Sequence, residues 1–382
     1  MNLNNTSEAP LRVAIIGGGR RSHEVYGPLL QSMRSMELVG VWSRSEESAR
    51  KLGESLGVPF FTSLQGLIDE TAPVIGIVSV GYGANGEIGL LAVEHGLHVL
   101  LETPIAHNLD EADAIISAAK KRDLKIEVAE QYYRYPNEQI KLALIQSGIF
   151  GRVHSSFNDF WAHGYHGMSI MRSHLGFDAK PLQVTGAVRA FPLAPSWSSL
   201  ANGAGATEET QEHGIIEFEG GRIGVFHWTS VGYDSPIRWW RSSRFLAEKG
   251  AGIAIGDYGG AYQKLTILAP DGRKPQRIKL NRNYTDSGVL KSIVAHPGDS
   301  KQPLHEWQCP VKPMEGSAPW SDDHIGVAGC IQSLVDAVRK NAEPSYGAQQ
   351  ARLDQEIILA LGESARQGGQ PVKFPFAQQQ NN

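Results

Sequence analysis

Three glycines and a serine fall in one short stretch, Gly17–Gly18–Gly19–Arg20–Arg21–Ser22, between a β-branched run at 12–16 and a helical apolar pattern at 25–33. A strand, a Gly-x-Gly-x-x-small turn and a helix in that order make a cradle for the pyrophosphate of a dinucleotide. Gly17 makes the tight turn, Gly19 lets backbone N–H groups approach the phosphates, and Ser22 takes the close contact between helix and strand. The next strand pattern ends at Ser43–Arg44, where an acidic residue would usually hold the ribose hydroxyls of NAD. A hydroxyl and a guanidinium suit a ribose 2′-phosphate instead, so NADP is favoured over NAD.

A second group could do acid–base or recognition chemistry. His163, Tyr165, His166, Arg172 and His174 crowd one window, and Tyr132, Tyr133 and Arg134 follow another strand pattern. Such a set can bind a carboxylate, a phenol or an array of sugar hydroxyls, and an imidazole can take a hydroxyl proton near neutral pH. Trp161 stands beside it, where a flat ring can stack on a sugar face. No carboxylate or cysteine clusters with His163 and His166, so no metal site is expected. There is no Gly-x-Ser-x-Gly elbow for a serine nucleophile, and Asp322–Asp323–His324 reads as the start of a helix.

These residues must be held by the elements around them. Strand patterns at 12–16, 37–42, 74–80, 98–101 and 125–129 alternate with helical patterns at 25–33, 46–56, 64–69, 87–95 and 109–121. That alternation specifies a doubly wound α/β Rossmann domain with a parallel sheet. After a further helix at 137–146 the pattern becomes strand-rich, with hairpin cues at 214–230 and 265–280, so residues 136–382 are expected to form an α+β domain with an open antiparallel sheet. The domains are placed at 1–135 and 136–382, with the C-terminal helical patterns at 322–338 and 348–367 free to pack on either. Residues 201–210 read as a flexible loop and 281–319 as a long irregular stretch. Trp239 and Trp240 point to opposite faces of a strand-like run, one to the core and one to a subunit contact.

The chain has 382 residues, 36 Lys and Arg against 40 Asp and Glu, and 41% hydrophobic residues. A net charge of −4 supplies no cationic field for nucleic acid, and no apolar run is long enough for a membrane span. Only Cys309 and Cys330 are present, and the N-terminal segment lacks the pattern of a secretory signal, so a cytoplasmic small-molecule protein is expected.

The Gly-rich turn, Ser43–Arg44, and the segments at 98–121, 128–136, 147–153 and 320–338 together resemble the Gfo/Idh/MocA family, along nearly the whole chain and in the same order. The resemblance implies NAD(P)-dependent oxidation or reduction of a secondary alcohol in a sugar, glycoside or polyol, with the C-terminal sheet as the interface of a homodimer or homotetramer. It implies cofactor contacts from Gly17, Gly19, Arg20, Arg21, Ser43, Arg44, Gly81, Asn85, Glu102, Thr103 and Gln131. It makes His166 the acid/base, with Tyr165 and Thr103 beside the reacting hydroxyl and Trp161, His163, Tyr132, Arg134 and Arg172 on the substrate. The sequence departs from the family in three places. The Glu-Lys-Pro signature is Glu102–Thr103–Pro104, the Asp-x-Gly-x-His signature begins with Ala162, and the Pro-Asn turn is Gly81–Tyr82–Gly83–Ala84–Asn85. Two other readings therefore stay open: a tightly held cofactor that assists elimination or glycoside cleavage, and a cofactor-binding sensor without catalysis.

Overall fold

The computed structural model describes residues 9–159, 164–197, 205–231, 235–238, 240–256, 262–269, 271–298 and 300–376. The chain divides into two compact units, Met1–Gln131 with Pro310–Arg352 and Tyr132–Cys309 with Leu353–Asn382. Residues 310–352 fall in the first unit.

In the first unit, β1 (Leu11–Ile16), α1 (Gly27–Ser32), β2 (Met36–Trp42), α2 (Glu46–Leu56), β3 (Phe60–Phe61), α3 (Leu64–Thr71), β4 (Ile75–Val78), α4 (Asn85–Glu94), β5 (His98–Leu101), α5 (Leu109–Lys121) and β6 (Ile126–Val128) alternate. The sheet order is β3-β2-β1-β4-β5-β6, all parallel. Strand order reverses between β1 and β4, and ligands of open α/β sheets bind at the carboxyl ends beside such a switch point. Val13–Ile16 are fully buried, as a strand covered on both faces requires. Helices α2, α3 and α5 begin where a side chain captures a backbone N–H, from Ser45, Ser63 and Asn108. The helical pattern expected from 25 in fact starts at Arg20, passes through a π turn at Ser22–Tyr26 and continues as α1.

The second unit opens with α6 (Pro136–Gln146), β7 (Val153–Asp159) and α7 (Gly164–Leu175). Nine strands follow: β8 (Pro181–Ser196), β9 (Ala206–Phe218), β10 (Arg222–Thr229), β11 (Ser242–Ala247), β12 (Gly250–Ile255), β13 (Tyr262–Leu268), β14 (Pro275–Tyr284), β15 (Leu290–Pro297) and β16 (His305–Gln308). The chain then forms α8 (Asp322–Lys340) in the first unit, α9 (Ala348–Arg366) and β17 (Val372–Lys373). The large sheet runs β16-β15-β14-β13-β12-β11-β7-β10-β9-β8-β17 and is antiparallel except where β10 pairs with β7. One face carries α7, all of whose residues from His166 to Leu175 are buried. Gly186 and Gly214 pair across β8 and β9, and a Cβ on Gly214 would stand 2.3 Å from the Leu361 side chain of α9. Glycine there admits the helix against the sheet. On the opposite face Ile215, Ile223 and Leu246 are 51%, 39% and 38% exposed, and the register puts Ile223 and Leu246 on either side of Ser155.

Two sequence expectations are corrected here. Residues 206–210, expected in a loop, are the start of β9, because Ala206 and Glu208–Thr210 pair with β8 across a long ribbon. The stretch 281–319 holds the end of β14, all of β15 and β16, where the adjacent buried Ser292 and Ile293 of β15 and the four-residue length of β16 mask the strand period. Trp161, His163 and Trp239 lie outside the described residues.

Candidate functional site

Each unit carries its own set of residues. In the first, β1 delivers Gly17 with φ +127°, and a Cβ at that position would lie 2.0 Å from the Ser79 carbonyl oxygen. Only glycine adopts this turn between β1 and β4. Ser22 is fully buried and its hydroxyl donates to the Gly17 carbonyl at 2.7 Å, locking the helix onto the turn. At Gly19 an added Cβ would meet nothing within 4 Å. The turn is thus closed behind and open in front, at the start of a helix, which is the fit a pyrophosphate requires. Arg20 projects from the same turn with its side chain 87% exposed, 3.8 Å from Glu24. Ser43 is buried, its N–H donating to the Phe61 carbonyl at 3.1 Å, and Arg44 beside it is exposed before α2.

At the ends of β5 and β6 a charged lattice replaces a row of free groups. Glu102 accepts from Arg21 Nε, from the Tyr26 hydroxyl at 2.7 Å and from its neighbour Thr103 N at 3.2 Å. Burial opposes the charge on Arg21, but the carboxylate of Glu102, helped by Tyr26 and Asp323, outweighs it and raises the guanidinium pKa above its ordinary value. Burial and Glu102 together push the Tyr26 phenol well up. The buried Gln131 amide donates to the Ala129 carbonyl at 2.7 Å and accepts from Arg21 Nη2 at 3.3 Å. Arg21 and Glu102 therefore hold one another, and Thr103 sits half-buried between Glu102 and a cis peptide bond to Pro104. Asn85, at the start of α4, donates through Nδ2 to the carbonyls of Glu102 and Pro104 at 2.5 and 2.6 Å. Its amide braces this turn, while its buried Oδ1 has no hydrogen-bond partner. Gly81 is exposed and opens the short helical turn Tyr82–Ala84.

In the second unit His166 is 3% exposed and sits in α7 between two phenols. Its ring centroid lies 4.2 Å from Tyr132 at 43° and 4.6 Å from Tyr165 at 69°. Tyr132 belongs to the helical turn Tyr132–Arg134, and Arg134 lies over the Tyr133 ring at 5.0 Å. Arg241, which the sequence reading missed, reaches Tyr132: its Nη1 donates to the hydroxyl at 3.3 Å. The only sequence signal for it is an arginine at the start of a strand, 109 residues from its partner.

Arg172 is a correction. Expected on substrate, it is fully buried and paired with Asp354 of α9 at 2.5 Å, with Nη2 donating to the Phe177 carbonyl at 3.1 Å. A buried carboxylate explains the buried guanidinium. His174 is likewise internal. It joins Ser156 at 3.0 Å and Glu138 at 3.4 Å, beside a Lys141 that bonds both Glu138 oxygens. Burial alone would raise the Glu138 carboxyl, yet Lys141 and His174 overcome it and hold it at about 2. Among the described residues no three His, Cys, Asp or Glu are grouped so as to hold a metal. Nor is any helix long and apolar enough to cross a membrane.

Residues 11–130 match the oxidoreductase family with an NAD-binding Rossmann fold known as Gfo/Idh/MocA. Relatives of the Gfo/Idh/MocA segment include a D-glucoside 3-dehydrogenase of Escherichia coli, 26% identical over 150 residues, which are 39% of this chain and 42% of the relative. A glucose-6-phosphate 3-dehydrogenase of Bacillus subtilis is 27% identical over 144 residues, 37% of this chain and 40% of its own. The match thus spans about two fifths of the length of these relatives. The fold likeness reaches further. A solved oxidoreductase from Agrobacterium radiobacter, in complex with NAD+, L-tartaric acid and magnesium, shares a TM-score of 0.69 at 15% identity over 95% of this chain and 98% of that one. An inositol dehydrogenase homologue from Azotobacter vinelandii, complexed with NADH and myo-inositol, gives 0.65 at 15% identity over 96% and 98%. Both units therefore share the fold of these two solved proteins.

Proposed function

We propose that the protein is an NAD(P)-dependent oxidoreductase acting on a secondary alcohol of a sugar, glycoside or polyol. The observation that carries this reading is the turn at Gly17–Gly19, closed behind by Ser79 and open in front, in a segment that matches an NAD-binding family. The names of the relatives, a glucoside and a glucose-phosphate dehydrogenase, support the substrate class.

Gly17, Gly19 and Arg20 would hold the pyrophosphate, and Ser43 with the exposed Arg44 the ribose 2′-phosphate, which favours NADP. Gly81, Asn85, Thr103 and the Arg21–Glu102–Gln131 lattice would frame the nicotinamide end, and Asn85 Oδ1 is an acceptor available for it. A bound oxidised nicotinamide supplies a hydride acceptor. His166 takes the proton as the alcohol O–H bond breaks, and the electron pair left on oxygen closes the carbonyl as hydride leaves carbon. Tyr165 and Tyr132 orient the hydroxyl, with Trp161, His163 and Arg134 as further substrate contacts. Thr103 can donate a hydrogen bond but brings no charge, so positioning carries more of the rate here. The exposed Ile215, Ile223 and Leu246 support self-association through the sheet into a homodimer or homotetramer. The scarcity of cysteine, Cys309 and Cys330 alone, fits a reducing cytoplasm.

Fluorescence titration of the purified protein with NADPH and NADH, followed by a glycoside and polyol screen at the reduced-nicotinamide absorbance, tests the reading. We expect tighter binding of NADPH and turnover that His166→Ala lowers about a hundredfold without changing the dinucleotide affinity. Failure to bind either dinucleotide refutes it.

A further inference from the structure

Between β10 and β11 the described residues 235–238, 240 and 241 are tied down at several points. Ser235 is 1% exposed and its carbonyl accepts from Arg238 N at 3.3 Å. The Arg238 guanidinium grips both oxygens of Glu209, a carboxylate 1% exposed, with Nε at 2.9 Å. Trp240 Nε1 donates to Asp159 Oδ2 at 3.2 Å, and the other Asp159 oxygen is held by His227 Nδ1 at 2.6 Å. The Arg241 carbonyl accepts from Gly256 N at 2.9 Å. These ties fix the backbone on both sides of one residue, Arg241, whose side chain is then buried to 5% exposure against Tyr132.

Fixing a guanidinium so firmly has a chemical effect. Arginine offers donors and a permanent charge and accepts nothing. Bonded to it at 3.3 Å, the Tyr132 oxygen serves as acceptor, so the phenol proton must point elsewhere. The Tyr132 ring lies 4.2 Å from that of His166, and Tyr132 and His166 are 4% and 3% exposed. In so buried a setting, a fixed positive charge favours the neutral imidazole, the form able to take a proton.

We propose that Arg241 is a positioning residue for proton transfer at His166, acting through the Tyr132 hydroxyl that it holds. The inference rests on the oxidoreductase reading above, since it assigns Arg241 a part in that alcohol-to-carbonyl step.

The test compares Arg241→Gln with Arg241→Lys in the full-length protein. Three readouts are followed: the pH profile of kcat/KM, NADPH affinity by fluorescence, and the NMR titration of the His166 imidazole, assigned by its loss in His166→Gln. Arg241→Gln should lower kcat about ten- to a hundredfold and shift the acid limb and the His166 titration to higher pH by about half a unit or more, leaving NADPH affinity within twofold. Millimolar guanidinium should restore part of the rate. Arg241→Lys keeps the charge without the fork, so it should lose rate while its acid limb stays in place. Folded Arg241→Gln with an unmoved acid limb and an unmoved His166 titration overturns the proposal. If Arg241→Gln does not fold, Arg241→Lys with wild-type kcat overturns it and a lowered kcat at an unmoved limb supports it. If the wild type turns over no alcohol, the oxidoreductase reading falls, and the His166 titration in Arg241→Gln still decides whether the charge acts on that ring.

Discussion

The two units solve the problem of building a site in opposite ways. At Gly17–Gly19 the first unit works by leaving side chains out, so that main chain can make a turn and present N–H groups. At His166 the second unit works by packing side chains in, with two phenols against the imidazole and a guanidinium on one of them. A site made of backbone is written in consecutive residues, whereas a site made of packed side chains is assembled from distant ones. The first should therefore fail by steric collision and the second by lost chemistry or lost core.

The largest expected effect separates the glycines. Gly17→Ala places a methyl 2.0 Å from the Ser79 carbonyl at a φ of +127°, so it should cost about 3 kcal/mol or more of stability and abolish dinucleotide binding. Gly19→Val, in open space, should lose binding while keeping the melting temperature. Equal loss of stability in both variants would break the distinction between the closed and open sides of the turn.

In the second unit, Arg172→Ala removes one half of a fully buried ion pair and strands Asp354. It should destabilise by about 3–5 kcal/mol in denaturant unfolding. A stable variant with a raised KM would return Arg172 to the substrate.

Acid should act on the same unit through Glu138. Its folded carboxyl is held at about 2, below the ordinary 4.5, so its contribution is present above pH 4.5 and drains away as pH falls towards 2. The full loss amounts to about 3 kcal/mol. Glu138→Gln should flatten the unfolding free energy across that window, and an unchanged slope there would remove Glu138 as its cause.

The smallest effect belongs to the cofactor tail. Arg44→Glu should weaken NADPH about tenfold and leave NADH nearly unchanged. Equal weakening of both would put Arg44 against a part the two share.

Legibility in the sequence followed the same contrast. The βαβ order and the Gly-rich turn were readable because both are set by neighbours in the chain. Arg172 was misread because a charged residue near two histidines looks functional until Asp354, 182 residues away, is brought beside it. Arg241 was overlooked for the same reason in reverse, since nothing near it in sequence hints at Tyr132. β16 was hidden by its four-residue length, and β15 by Ser292 and Ile293, adjacent and both buried, which break the alternation.

One further consequence concerns the order in which the protein can be made. Glu127, in the last strand of the Rossmann sheet, is completely buried and accepts from Ser333 at 2.8 Å and from the Tyr346 N–H at 3.4 Å, while Val128 N donates to the Tyr346 carbonyl at 3.1 Å. Those partners emerge from the ribosome some two hundred residues later. A nascent chain that has finished β6 still has a carboxylate and a strand edge without their final company, so the first unit, though begun first, is completed only after β7 to β16 of the large sheet have been translated.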